Sequence, residues 1–237
     1  MKKILHANDL NKKNIVLINI ENEIYKSLKN KLIELNSNII IADYFTKEKT
    51  KNKNVSIYKI DKNKNIYNEY TILCNLIKRK YKHIDVLIIN NTKIPNLTPI
   101  EYIEIDNWIN TINNNINYSF LIIKTLIPLL KLSNNGLIIL NAYHQKKIEK
   151  AFMGEIACSN AFLISLMKII NEEHKNSNKV RVNIIDINKI KKNNIYPLKK
   201  NMNESTLNII NTFIYIMQEK NKHLKNKILS TTKKWII

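Results

Sequence analysis

Short apolar runs rich in β-branched residues alternate along this chain with stretches of helical period. The first is Asn14–Ile20, NIVLINI, a buried strand by its composition. Glu23–Leu35 follows as a helix with Ile24, Leu28, Leu32 and Leu35 on one face, and Asn38–Ala42 is a second strand ending at Asp43. Strand, helix, strand is a βαβ unit, and its strands must be parallel with a right-handed crossover. The alternation continues with a strand at Val55–Ile60 and a helix over Asn65–Lys80, its inner face holding Tyr70, Leu73, Ile77 and Tyr81. Ile84–Thr92, IDVLIINNT, is apolar on both alternating faces and reads as a central strand. A helix over Trp108–Lys131, a strand at Leu137–Leu140 and a helix from Ile156 come next, the last with Ala157, Ala161, Leu163, Ile164, Met167 and Ile170. Val180–Ile185 is a further strand, Lys189–Asn203 a basic loop, Glu204–Met217 a helix capped by Asn203, and Lys227–Thr231 an edge strand. No linker or repeat divides the pattern. The expected architecture is α/β, a Rossmann-like doubly wound parallel sheet with helices on both faces. It is one domain over 1–237, with its core at 14–231 and 1–13 as an extension.

The chain has 237 residues and a formal net charge of +20. Such a charge raises the question of nucleic acid or an anionic surface. Ile, Lys and Asn together make up about half of the residues, which points to an A+T-biased genome as the source of the lysines. Only Arg79 and Arg181 are arginines, so the side chain best suited to bidentate phosphate and base contacts is nearly missing. The lysines are spread through loops and helix faces and read as a solvated surface, so nucleic acid is not expected beyond non-specific attraction. Cys74 and Cys158 form no metal-like spacing or disulfide framework, the histidines form no ligand pair, and no apolar run approaches membrane-spanning length. A cytoplasmic protein without metal or membrane partner is expected.

The segment Gly136–Phe162 reads GLIILNAYHQKKIEKAFMGEIACSNAF and contains both glycines of the chain. A buried strand that ends in a loop and feeds a long helix is where α/β enzymes place their chemistry. The segment resembles the catalytic stretch of the short-chain dehydrogenases/reductases, which runs G-x-ϕ-ϕ-x-x-S-S and then Y-x-A-S-K-A. The resemblance covers about Asn14 to Thr231. Asp85 and Asn90 of IDVLIINNT match the family's central strand, Trp108, Asn115, Phe120 and Pro128 match its next helix, and Arg181, Val182 and Asn183 match a late strand. TLIPLLK and NIINTFIYIMQ are similar to a branch of oxidoreductases from enteric bacteria.

The resemblance implies a hydride-transfer site, yet its reacting groups are substituted. The family's catalytic Ser falls on Tyr143, its Tyr on Ile156 and its Lys on Asn160; its Asn, which holds a water in the proton relay, is kept as Asn115. The phosphate turn T-G-x-x-x-G-x-G places its glycines on Asn19, Glu23 and Tyr25. A carboxylate at Glu23 would repel a phosphate ~4 Å away by about 4 kcal/mol at an effective dielectric near 20. Asp43 stands where a ribose-binding acid is found, Asp61 matches an acidic position near adenine, and Asn90 matches the residue that steadies the sheet above the cofactor. The family's Ala-Gly after that strand is Asn91-Thr92, and the Pro-Gly that shapes the nicotinamide pocket is Ile187-Asn188.

Three readings follow. The first is a degenerate family member that has lost cofactor binding and hydride transfer and persists as a non-catalytic fold or subunit. The second is an NAD(H)- or NADP(H)-dependent enzyme with a rebuilt site, in which the Tyr143 phenol and a neighbouring Lys146 or Lys147 replace the lost pair. The third is a basic nucleic-acid or anionic-surface binder. The first is favoured, with no cofactor expected. The resemblance implies pairing through the helix holding Asn115 and the helix after Ile156, and the latter also carries Phe162, Ile164, Leu166 and Ile169, so a homo-oligomer is expected.

Overall fold

A computed structural model of the chain describes residues 7–19, 23–44, 50–90, 96–143, 148–186 and 204–231. Its seven strands are β1 (Asn14–Ile18), β2 (Asn38–Asp43), β3 (Val55–Lys59), β4 (Val86–Ile89), β5 (Gly136–Ala142), β6 (Val180–Asp186) and β7 (Ile228–Ser230). They form one sheet in the order β3-β2-β1-β4-β5-β6-β7, and every pairing is parallel. The strand order reverses between β1 and β4, which opens a crevice at their carboxyl ends.

The helices are α1 (Glu23–Glu34), α2 (Ile66–Tyr81), α3 (Ile105–Ile112), α4 (Tyr118–Leu130), α5 (Gly154–Glu173) and α6 (Glu204–Met217). Strand residues alternate between two apolar layers, as the pleat requires. Val16, Ile40, Leu87, Ile138 and Val182 face α2, α4 and α5, whereas Ile15, Ile39, Ile88 and Ile139 face α1 and α6. The predicted face of α1 is buried throughout, and α2 starts under an Asn65 cap whose side chain accepts the N–H groups of Tyr67 and Asn68.

Several expected boundaries shift. The helix placed over Trp108–Lys131 begins earlier, at Ile105, and is interrupted by a π-helical turn at Asn113–Asn117 in which the Tyr118 N–H reaches the Asn113 carbonyl. β4 is only Val86–Ile89, β5 runs on to Ala142, and α5 starts at Gly154 rather than Ile156. Within 1–13, Ala7–Leu10 forms a 3-10 turn and Leu10 is 2% exposed in the α1 layer, so the packed unit begins ahead of β1. The Lys189–Asn203 loop and the Asn203 cap lie outside the described residues.

Asp85 ties the amino ends of the central strands together. Its carboxylate is 6% exposed and accepts the Asn14 N–H at 2.8 Å and the Ser133 hydroxyl at 2.8 Å, with Lys13 at 3.5 Å and His83 at 3.3 Å. Gly136 is fixed by a close approach, because a Cβ there would lie 2.6 Å from the Leu130 carbonyl oxygen. Gly136→Ala is therefore expected to cost about 1–3 kcal/mol by overpacking, read as a lower urea midpoint with an unchanged slope. Elsewhere asparagine takes the left-handed backbone positions that usually select glycine: Asn19, Asn36, Asn178 and Asn226 all have φ between 49° and 57°.

Candidate functional site

The crevice is built from the carboxyl ends of β1, β2, β4 and β5. Asn19 leaves β1 at φ 57°, where the family has its first glycine. Its N–H donates to the Ala42 carbonyl at 3.3 Å, and its carbonyl accepts the Asn90 Nδ2 at 2.8 Å. Asn141 at the end of β5 donates to the Asn90 Oδ1 at 2.9 Å, so side-chain amides stitch three strand ends across the switch point. The Asn141 Oδ1 is buried and finds no partner among the described residues.

Tyr44, the residue after β2, lies over this turn. It is 9% exposed, shares a 2.6 Å hydroxyl–hydroxyl hydrogen bond with Tyr70, and hydrogen-bonds the Asn19 side chain. Its ring packs at 6.1 Å on Tyr118 and carries Lys62 Nζ at 4.0 Å. Burial pushes its phenol up to about 12 and raises Tyr70 as well. Tyr44 thus spans the space between Asn19, at the phosphate position, and Lys62, beside the adenine-side Asp61. Asp43 is buried and turns back on its own chain, its Oδ1 accepting the Tyr44 N–H at 2.6 Å. Asp61 closes a local turn by accepting the Asn63 N–H at 3.0 Å, while its own N–H donates to Glu69 at 3.1 Å.

Tyr25, at the third glycine position, is fully buried on α1 and meets the α6 ring of Phe213 edge-on at 5.9 Å. Burial, and then the nearby phenol of Tyr143, raise its pKa well above the usual tyrosine value. Glu23 opens α1, and its side chain lies outside the described residues.

Tyr143, Ile156, Asn160 and Asn115 lie where the end of β5 meets α5 and the π turn. The Asn160 Oδ1 accepts the Tyr143 backbone N–H at 2.7 Å, so the residue at the Lys position latches α5 to the end of β5. Ile156 is 2% exposed and packs with Ile148 and Met153, with Tyr143 and Ala157 at the edge of the cluster. Asn115 sits inside the π turn, fully buried, 3.5 Å from the Ser159 hydroxyl; that hydroxyl donates to the Glu155 carbonyl. A π turn is frequent at functional sites, and here the kink is kept while the neighbouring side chains differ. Tyr44 and Asn141 were not singled out from sequence, and Tyr70 only as an inner-face residue of its helix; the one available signal was an aromatic directly after Asp43. Lys146, Lys147, Asn91, Thr92, Ile187 and Asn188 lie outside the described residues. Among the described residues no group of His, Cys, Asp and Glu could hold a metal ion, and no helix is long and apolar enough to cross a membrane.

The family model for short chain dehydrogenases matches residues 27–201. The chain belongs to the short-chain dehydrogenase family. Solved structures agree with this member of the family in fold. The Escherichia coli oxidoreductase yciK superposes with a TM-score of 0.80 at 15% identity, over 98% of this chain and 100% of that one. A protein described as a short-chain dehydrogenase from Escherichia coli CFT073, complexed with NADPH, gives 0.82 at 16% identity over 96% and 99%. A short-chain dehydrogenase from Salmonella enterica serovar Typhi gives 0.83 at 14% over 98% and 100%. Among curated proteins none matches the chain.

Proposed function

We propose that this short-chain dehydrogenase fold binds neither NAD(H) nor NADP(H), performs no hydride transfer, and serves as a non-catalytic subunit. Ile156 carries the reading. Where the family needs a general acid and base, a side chain with no ionisable atom is packed against Ile148 and Met153. Proton transfer by a positioned group contributes typically 10²–10⁴-fold, and the one ionisable side chain in the cluster around Ile156 is the Tyr143 phenol. Asn160 is neutral at pH 7 and is already engaged with the chain at Tyr143.

The residues present also do not fit a pyridine dinucleotide. A pyrophosphate needs a bare backbone and free N–H groups at the first turn. Here the Asn19 N–H and carbonyl are both bonded within the protein, Tyr44 covers the turn, and Tyr25 fills the volume below it. Asp43 spends an oxygen on its own backbone rather than facing a ribose. A rebuilt site at Tyr143 is disfavoured by its surroundings, since the ring packs at the edge of the apolar cluster of Ile148, Met153 and Ile156. The test is NADH and NADPH consumption with a panel of aldehydes, ketones and quinones. No rate above buffer is expected; turnover that disappears in Tyr143→Phe would overturn the reading.

We further propose that the chain pairs with itself through α4 and α5. Phe120 on α4 is 44% exposed and Ile169 on α5 is 54% exposed, which leaves large apolar side chains on the outer faces of those helices. Light scattering at tens of micromolar is expected to give the mass of a dimer or larger, shifted toward the monomer by Phe120→Lys with Ile169→Lys. A monomer before mutation would refute it.

A further inference from the structure

A second cavity lies at the opposite end of the sheet, at the amino ends of β5 and β6. Its volume is about 410 Å³, within the size range of small-molecule sites. Arg181, Lys222, Lys225, His174 and His223 line it together with asparagine side chains, and no carboxylate does.

Its inner end is built from buried groups rather than surface lysines. Arg181 is 6% exposed, and its guanidinium donates to the Asn135 Oδ1 at 3.0 Å, the Leu224 carbonyl at 3.2 Å and the Ile216 carbonyl at 3.1 Å. All three acceptors are neutral, so the group is positioned without being neutralised. Burial lowers its pKa to about 10, which leaves it charged at neutral pH. The nearest acid, Glu219, is engaged by Lys13 and Lys222. His174 is an independent observation. It is 8% exposed, lines the cavity, and its ring makes no hydrogen bond to any described residue. Its ring nitrogens are reached by solvent rather than sealed in the core, so a ligand in the cavity would meet them. Lys225 and His223 are exposed and line the same cavity, which places them at its rim.

A fixed guanidinium, an imidazole and rim cations give a lining of net positive charge suited to phosphate oxygens. We propose that this cavity is a binding site for a small phosphate-bearing anion, separate from the nucleotide crevice. Arg181 and His174 are buried while His223 and Lys225 are exposed, so a free phosphate group reaches the inner groups where a polymer backbone contacts only the rim.

The experiment is calorimetry of the full chain with inorganic pyrophosphate at ~150 mM salt, repeated with a single-stranded oligonucleotide. Arg181→Gln probes the inner donor directly but removes bonds that hold β6, so the deciding variant is at the rim: Lys225→Glu with His223→Glu. A control of equal charge reversal is Lys51→Glu with Lys53→Glu, both exposed beside β3. The expected result is one-to-one pyrophosphate binding, weakened roughly tenfold or more by the rim variant and unchanged in the control. Absence of heat at millimolar pyrophosphate would overturn the proposal. Equal weakening in both variants would do the same, as would oligonucleotide binding tighter than pyrophosphate and lost equally in both.

Discussion

Replacing Tyr25 with alanine is expected to lower folding stability by about 3–5 kcal/mol, the range for truncating a large buried aromatic. The size of the effect follows from its position. The ring has no solvent exposure, sits in the layer between α1 and α6, and meets Phe213 at 5.9 Å. In a working member of the family this position is glycine, and the space belongs to the approach of helix and cofactor. Here it belongs to the core. Urea unfolding of Tyr25→Ala would show a large drop in midpoint. A loss under 1 kcal/mol would mean that the crevice floor is loosely packed and could open for a ligand.

The second large effect is expected at Asp85. Asp85→Ala should cost about 3 kcal/mol or more, because it strands several groups at once. The Asn14 N–H and the Ser133 hydroxyl lose their acceptor, and Lys13 and His83 lose a counter-charge. Asp85→Asn keeps one acceptor oxygen and should be milder. The same residue pairs with Asn14 through the backbone, its N–H donating to the Asn14 carbonyl at 2.9 Å, so the loss falls on the alignment of β1 with β4. That alignment sets the crevice at the other end of both strands.

Much of the fold was legible because β1, β2, β4 and β5 carry continuous apolar runs and α1 and α2 each have one clear stripe. Ile24, Leu28 and Leu32 on α1 and Tyr70, Leu73 and Ile77 on α2 are all buried as the periodicity requires. The break inside the α3–α4 stretch was not legible. Asn113–Asn117 is an asparagine-rich run, and a π turn differs from an α turn by one residue of hydrogen-bond reach, which periodicity over so short a span cannot register. The site was legible as a set of positions through the family motif, and Tyr143, Ile156, Asn160 and Asn115 do gather at one place. What spacing could not convey was how the vacated volume is filled. Nor could spacing convey that Asp43, at the ribose-acid position, accepts the Tyr44 N–H at 2.6 Å. Tyr44 and Tyr70 are far apart in sequence and meet only because α2 crosses the end of β2.

A glycine-poor chain also hides its turns. Asn19, Asn36, Asn178 and Asn226 adopt the left-handed backbone without the residue that normally announces it. Asn19 stands at the family's first glycine position, so there a left-handed backbone carries a side chain.

The account stands most directly on cofactor binding. Titrating purified protein with NADPH and NADH by calorimetry, up to millimolar cofactor, is expected to give only heats of dilution, because Tyr25 and Tyr44 fill the space that a dinucleotide needs. Saturable one-to-one binding would contradict it, and would mean that Tyr44 swings off the Asn19 turn to admit a pyrophosphate.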